Sequence, residues 1–156
     1  MQTVILAGGY GTRIFEETQN KPKPMIEIGE KPILWHIMKY YSSFGYNDFI
    51  ICLGYKSNII KEYFINYLYN NNDIKVSTSS KKVEVIKNKY DENWKVSLID
   101  TGLHTKTANR LKKILPLIKS KQFFMTYGDG LSNVNLKNLL NFHIKNKKLA
   151  TVTAVN

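Results

Sequence analysis

The sequence predicts an α/β fold, a doubly wound and mostly parallel sheet with a small β-hairpin insertion. Three observations predict it. Apolar runs of strand length alternate with stretches of helical period, an order that implies crossover connections and parallel pairing. The first run, Val4-Ile5-Leu6, empties into Ala7-Gly8-Gly9-Tyr10-Gly11, the pattern of a buried strand whose end turns against a ligand. A later segment, Gly128-Asp129-Gly130, also follows an apolar run and repeats that strand-to-glycine punctuation.

Each element has its own signal. Gln2 to Leu6 reads as a buried strand, and the stretch to Lys23, with Glu16, Glu17 and Asn20, has no long apolar face and reads as irregular. Pro22 and Pro24 flank Lys23, removing two N–H donors and stiffening the backbone around that one side chain. Ile33, Leu34, Ile37, Met38 and Tyr41 have helical period, with Pro32 suited to the first turn and Gly45 to the end. His36 on this helix has no Ser, Cys or Asp at a telling spacing and reads as a packed histidine. Asp48 to Leu53 is a second strand, with Gly54-Tyr55 its turn. Ser57 is placed to cap a helix carrying Ile59, Ile60, Tyr63, Phe64 and Tyr67 on one face and ending near Asn70-Asn71-Asn72.

Ile74 to Thr78, Val83 to Lys87 and Lys95 to Ile99 largely alternate apolar and polar residues and read as short strands, with Asn88 to Asn93 as the turn between the last two. After Asp100-Thr101-Gly102, Thr107 begins a helix through Arg110, Leu111, Ile114 and Leu117 that Pro116 interrupts. Gln122 to Tyr127 is a strand, Asn135 opens a helix with Leu136, Leu139, Leu140 and Phe142, and Leu149 to Val155 is a last strand.

Composition narrows the function classes. At 156 residues, 43% hydrophobic and 22% charged, the chain has the make-up of one soluble globular unit. No apolar run approaches the ~18 residues of a membrane span, and no signal peptide is visible, so the expected location is the cytoplasm. Cys52 is the single cysteine and sits in the apolar run Phe49 to Leu53, where it reads as a small buried hydrophobe. The net charge of +11 is spread along the chain with no lysine run longer than two, unlike a nucleic-acid-binding arm or a basic membrane helix. Only Arg13 and Arg110 among the 23 cations are not lysine, and arginine's planar fork suits phosphate in a way lysine does not copy.

The chemistry that these residues suggest is phosphate binding. Backbone amides of the glycine loop, with Arg13 and Lys23 close behind, suit several negative oxygens at once. In doubly wound sheets ligands collect at the carboxyl ends of strands where strand order reverses. With the Gly8 and Asp129 strands as neighbours there, a phosphate cradle, a cation and a metal-ligating carboxylate would share one crevice. Taken alone, Asp129 between two glycines reads as a turn residue rather than a metal ligand. The loop is neither a P-loop, since Gly11 is followed by Thr12-Arg13, nor a dinucleotide fingerprint, whose third glycine would fall at Ile14.

Gly8-Gly9-Tyr10-Gly11-Thr12-Arg13 with Lys23 about ten residues on resembles the signature of the sugar-phosphate nucleotidyltransferase family, whose fold is Rossmann-like. The likeness extends through Lys21-Pro22-Lys23-Pro24-Met25-Ile26-Glu27-Ile28-Gly29, Pro32 to Met38, Asp100-Thr101-Gly102 and Thr126-Tyr127-Gly128-Asp129-Gly130, and is greatest to members that use CTP and glucose 1-phosphate. It implies formation of CDP-glucose and pyrophosphate with Mg2+. It further implies that Leu6, Ala7, Gly8, Gly9, Tyr10, Gly11, Thr12, Arg13, Lys23, Thr105, Arg110 and Gly128 contact the nucleotide. Arg13 would stabilise the leaving pyrophosphate, Lys23 the α-phosphoryl group, and Asp129 would hold the metal.

Where the family pattern reads Thr-Gly-Gly-Arg, this sequence has Thr107-Ala108-Asn109-Arg110. The family also continues further. Residues 1–156 are therefore expected to be the N-terminal nucleotide-binding part of a nucleotidyltransferase domain, without its C-terminal sugar-binding part, with weak or no turnover and an exposed edge or apolar face. The full-length protein is expected to be a homo-oligomer with no nucleic-acid or membrane partner. Two readings stand beside this one: a nucleotide-binding regulatory module without turnover, and a nucleotidyltransferase for another NTP and sugar phosphate.

Overall fold

The computed structural model describes residues 1–10, 20–86 and 92–154. Its centre is β1 (Gln2–Ala7), in which every residue is buried. A strand can be buried along its whole length only if both faces are covered and both edges paired. β1 meets both conditions. It pairs in parallel with β4 (Asp48–Leu53) on one side and β8 (Phe124–Tyr127) on the other. β7 (Lys95–Asp100) extends the sheet beyond β4, again in parallel, giving the order β7-β4-β1-β8.

The alternation of side chains along β1 and β4 divides the core in two. Ile5, Ala7, Phe49, Ile51 and Leu53 face one side, where they meet Leu34, Ile37, Met38 and Tyr41 of α1 (Ile33–Ser43), Ile60 of α2 (Ser57–Ile65) and Leu136 of α5 (Leu136–Asn146). Val4, Leu6, Ile50 and Cys52 face the other side and pack on Ile114 of α4 (Thr107–Ile114). Helices thus cover both faces, as a doubly wound sheet requires. From β1 the chain winds outward to β4 and β7, then returns to place β8 on the other flank of β1. The strand order reverses between β1 and β8.

Several local expectations change. The segment from Ser57 forms two helices, α2 and the short α3 (Tyr67–Asn71), divided at Asn66. Its N-cap is Lys56 in a left-handed conformation, and the Ser57 side chain makes no cap bond. The hairpin consists of β5 (Asp73–Ser77) and β6 (Lys82–Ile86), an antiparallel pair separate from the main sheet. β7 pairs with β4 and not with β6, and most of the turn expected over Asn88 to Asn93 falls on residues 87–91, which lie outside the described residues. A minor antiparallel pair, β2 (Glu27–Ile28) and β3 (Lys31–Pro32), precedes α1.

Asn135 caps α5 as its sequence suggests, accepting a bond from the Asn138 N–H at 3.0 Å. Pro116 ends α4, and a single 3-10 turn over Leu115–Leu117 replaces its last turn. The strand expected over Leu149 to Val155 is absent from 149–154, where Leu149 and Val152 are exposed. Apolar alternation specifies a strand only where a neighbour supplies the ladder, and no described strand pairs with this segment. The outer flank of β8 is likewise unpaired among the described residues, with Met125 and Tyr127 exposed. No helix among the described residues is long and apolar enough to cross a membrane.

Candidate functional site

A cleft of about 670 Å³ opens at the carboxyl ends of β1 and β8, where the strand order reverses. Leu6, Ala7, Gly8, Gly9, Lys23, Thr105, Arg110, Gly128 and Asp129 line it, bringing together residues spread over the length of the chain. Tyr10 does not line it: its ring packs on Tyr55 with centroids 5.4 Å apart, and its hydroxyl lies 3.2 Å from His104 Nδ1. Gly11, Thr12 and Arg13 lie outside the described residues.

The wall nearest β4 and β7 is built around Arg110, which is 6% exposed. Its helix, α4, is anchored in the core through Ile114, one turn further on. The guanidinium donates to the Leu53 carbonyl at 2.9 Å, the Thr101 hydroxyl at 2.6 Å, the Gly8 carbonyl at 3.0 Å and the Leu103 carbonyl at 3.3 Å. Thr101 is fully buried, and its hydroxyl donates in turn to the Leu53 carbonyl at 2.7 Å. One cation therefore joins the carboxyl ends of β1 and β4 to the loop after β7.

That guanidinium explains two glycines. A Cβ on Gly8 would lie 2.1 Å from an Arg110 terminal nitrogen, and one on Gly54 would lie 2.6 Å from the Gly8 carbonyl oxygen. Both positions are reserved for backbone by close packing. The Cβ direction of Gly9, in contrast, meets nothing within 4 Å.

Among the described residues Arg110 has only neutral acceptors. Among the described residues no carboxylate comes within ion-pair distance of it. Burial pulls its pKa below the ordinary value, while Cys52 and Asp100 act in the opposite direction. Arginine nevertheless stays charged. The result is a buried positive charge on the wall of a cleft, without an ion-paired carboxylate among the described residues and suited to attract an anion.

The opposite wall is built from two turns locked together. Lys23 opens a 3-10 turn over Lys23–Met25, closed by the Met25 N–H donating to the Pro22 carbonyl at 2.7 Å and the Ile26 N–H to the Lys23 carbonyl at 3.1 Å. Pro22, Pro24 and Met25 are buried, so this turn is rooted in the core. At the end of β8, the Gly128 N–H donates to the Leu6 carbonyl at 2.9 Å. A Cβ on Gly128 would lie 2.9 Å from Pro24 Cγ, so the absence of a side chain lets the two turns touch. Their contact sets Lys23 Nζ 2.5 Å from Asp129 Oδ2.

Sequence reasoning did not single out Gly54 and Thr101 as site residues, nor Lys106, Ala108 and Tyr127, which also line the cleft. Gly54 carried a usable signal, since it follows β4 as Gly8 follows β1. Thr101 lay in a motif that was visible but had no assigned role.

Among the described residues no group of three or more His, Cys, Asp or Glu side chains could hold a metal. Asp129 is a single oxygen donor at the cleft. Such a site fits a hard cation that draws its remaining ligands from substrate phosphates and water, as Mg2+ does.

Comparison with known proteins agrees with this arrangement. Residues 2–156 match the family model described as nucleotidyl transferase. A curated protein of Salmonella typhimurium named glucose-1-phosphate cytidylyltransferase is 50% identical over 155 residues, which are 99% of this chain and 60% of that protein. One of Bacillus subtilis named probable glucose-1-phosphate cytidylyltransferase is 44% identical over 156 residues, covering 100% of this chain and 61% of its own. This chain thus spans about 60% of the length of these relatives. Among solved structures, HddC from Yersinia pseudotuberculosis complexed with GMP-PN superposes with a TM-score of 0.65 at 26% identity, over 92% of this chain and 54% of that one.

Proposed function

Because the chain belongs to the nucleotidyl transferase family, we propose that its cleft binds CTP and serves the transfer of a cytidylyl group to glucose 1-phosphate, giving CDP-glucose and pyrophosphate. The observation that carries this reading is the convergence of Gly8, Gly9, Lys23, Arg110 and Asp129 on one cleft at the strand-order reversal. The names of the relatives at 50% and 44% identity support cytidine as the base and glucose 1-phosphate as the acceptor. The cytoplasm is the expected compartment.

The chemistry asks little of a general base. A phosphate oxygen of glucose 1-phosphate, already anionic at neutral pH, forms the new bond to the α-phosphorus of CTP. The bond from that phosphorus to the bridging oxygen breaks, and pyrophosphate leaves with the electron pair. The barrier is the approach of two polyanions, so cations and amides must do the work. Amides of the Gly8–Gly9 segment face the phosphates, the fixed charge of Arg110 draws them in, and Lys23 neutralises the α-phosphoryl group. Asp129 would hold Mg2+, which when bound spreads the phosphate charge. The role assigned to Arg13, facing the leaving pyrophosphate, falls outside the described residues. The pocket for the sugar is assigned to the part of the relatives' length that this chain does not span. Self-association of the full-length protein belongs to the same reading, supported by the exposed apolar side chains Ile74, Val76 and Val83 of the hairpin.

The test is to incubate the chain with CTP, glucose 1-phosphate and Mg2+ and to quantify CDP-glucose and pyrophosphate. The expected result is slow formation of the two in equal amounts. Nucleotide binding without either product favours a second reading, a nucleotide-binding module without turnover.

A further inference from the structure

The ion pair between Lys23 and Asp129 has an unexpected partner choice. The two groups given to opposite tasks, one to meet a phosphate and one to meet a cation, neutralise each other at 2.5 Å. Their backbones cannot drift apart easily, since Pro24 touches Gly128 and the Lys23 turn is anchored by buried Met25. The side chains can. They are 27% and 32% exposed, so the pair is only partly screened by water and lies within reach of a ligand. Four rotatable bonds let the lysine head swing while its stem stays rooted.

We infer that Asp129 acts as a built-in counter-ion, keeping Lys23 from phosphate until the carboxylate exchanges the ammonium for the cation that accompanies the nucleotide. This rests on the nucleotide reading above and adds a condition to it. A metal-free triphosphate meets a neutral pair, must break it to reach Lys23, and then faces an unpaired carboxylate. A metal-bearing triphosphate meets two groups that both find new partners. The wall carrying Lys23 is therefore selective for the metal complex, whereas the Arg110 wall attracts either form.

The experiment is a double-mutant cycle on CTP affinity, measured by titration calorimetry of the 156-residue chain. The parent, Asp129→Asn, Lys23→Met and the double variant are each titrated in EDTA and in Mg2+. Removing the carboxylate's charge alone strengthens anion binding equally whether or not Lys23 is present. Release of Lys23 adds a gain that needs the lysine. In EDTA, Asp129→Asn is expected to raise CTP affinity at least about threefold more in the Lys23 background than in the Met background. In Mg2+ the sign reverses, and Asp129→Asn binds CTP more weakly than the parent. Equal gains in both backgrounds, or tighter binding by Asp129→Asn in Mg2+ as well, overturn the inference. Both positions are partly exposed turn residues, and Asp129→Ser provides a second variant with the same expected signs.

Inorganic pyrophosphate titrated in parallel separates this inference from its premise. The coupling seen with pyrophosphate but no binding of CTP supports the counter-ion role and overturns the nucleotide assignment. CTP binding with equal gains does the reverse. No binding of either ligand by any variant overturns both.

Discussion

The two walls of the cleft are each built around one cation, and they treat it oppositely. Arg110 is buried, held by four neutral acceptors on three segments, and has no carboxylate partner among the described residues. Lys23 is partly exposed and paired with Asp129. The first is a fixed charge whose removal would disturb the ends of β1 and β4. The second is conditional, and its removal would leave the fold in place. The comparison teaches that a cation's exposure and partner, more than its presence in the cleft, decide whether it serves as scaffold or as ligand contact.

The largest expected effect breaks the Arg110 wall. Arg110→Met removes the hydrogen bonds that the guanidinium donates to the Leu53, Gly8 and Leu103 carbonyls and to the Thr101 hydroxyl, and should cost about 3 kcal/mol of stability in urea denaturation. Gly54→Ala comes next. Its Cβ would be forced against the Gly8 backbone, and a shift of that loop should cost about 1–3 kcal/mol while weakening nucleotide binding. Thr101→Val removes one buried hydroxyl bridge and should cost about 1 kcal/mol by the same assay.

On the other wall, Lys23→Met should change stability by less than about 1 kcal/mol, because a partly exposed ion pair contributes little. It should nevertheless weaken Mg2+–CTP binding. A stability loss as large as that of Arg110→Met would erase the distinction between the walls.

The smallest effect concerns Cys52 beneath the Arg110 wall. Burial raises its thiol from 9.0 to about 11, with Arg110 pulling the other way. Well below pH 9 the thiol is neutral in both folded and unfolded chains and adds no pH dependence. Between pH 9 and 11 the unfolded chain ionises first, so stability falls as pH rises. Cys52→Ala should flatten that part of a stability–pH curve, and a thiol reagent at pH 8 should label Cys52 only after denaturation.

Much of the fold was legible because its signals are local. β4 spans Asp48 to Leu53 as its apolar run marks it, and Asn135 caps α5 as its side chain allows. The misses concern partners distant in sequence. Whether Lys95 to Asp100 joins a hairpin or the main sheet depends on β4, more than forty residues earlier, and alternation within the segment carries no trace of that choice. Leu149 to Val155 has a strand's pattern, but among the described residues it has no neighbouring strand. The site divides in the same way. Gly8, Lys23 and Asp129 announce themselves through glycines and prolines nearby. The role of Arg110 in tying Gly8, Leu53 and Thr101 together was not legible, since those groups meet only in the folded chain. For the same reason the Lys23–Asp129 pair could not be read from residues a hundred positions apart.

The most direct test of the nucleotide assignment is a thermal-shift comparison of CTP, UTP, ATP and GTP, each with Mg2+, on this chain. Binding at a hundred times Kd stabilises a protein by about 2.7 kcal/mol, enough to raise Tm by several degrees. CTP is expected to give the largest rise. Equal rises from all four nucleotides would contradict the cytidine assignment, and no rise from any of them would contradict the cleft as a nucleotide site.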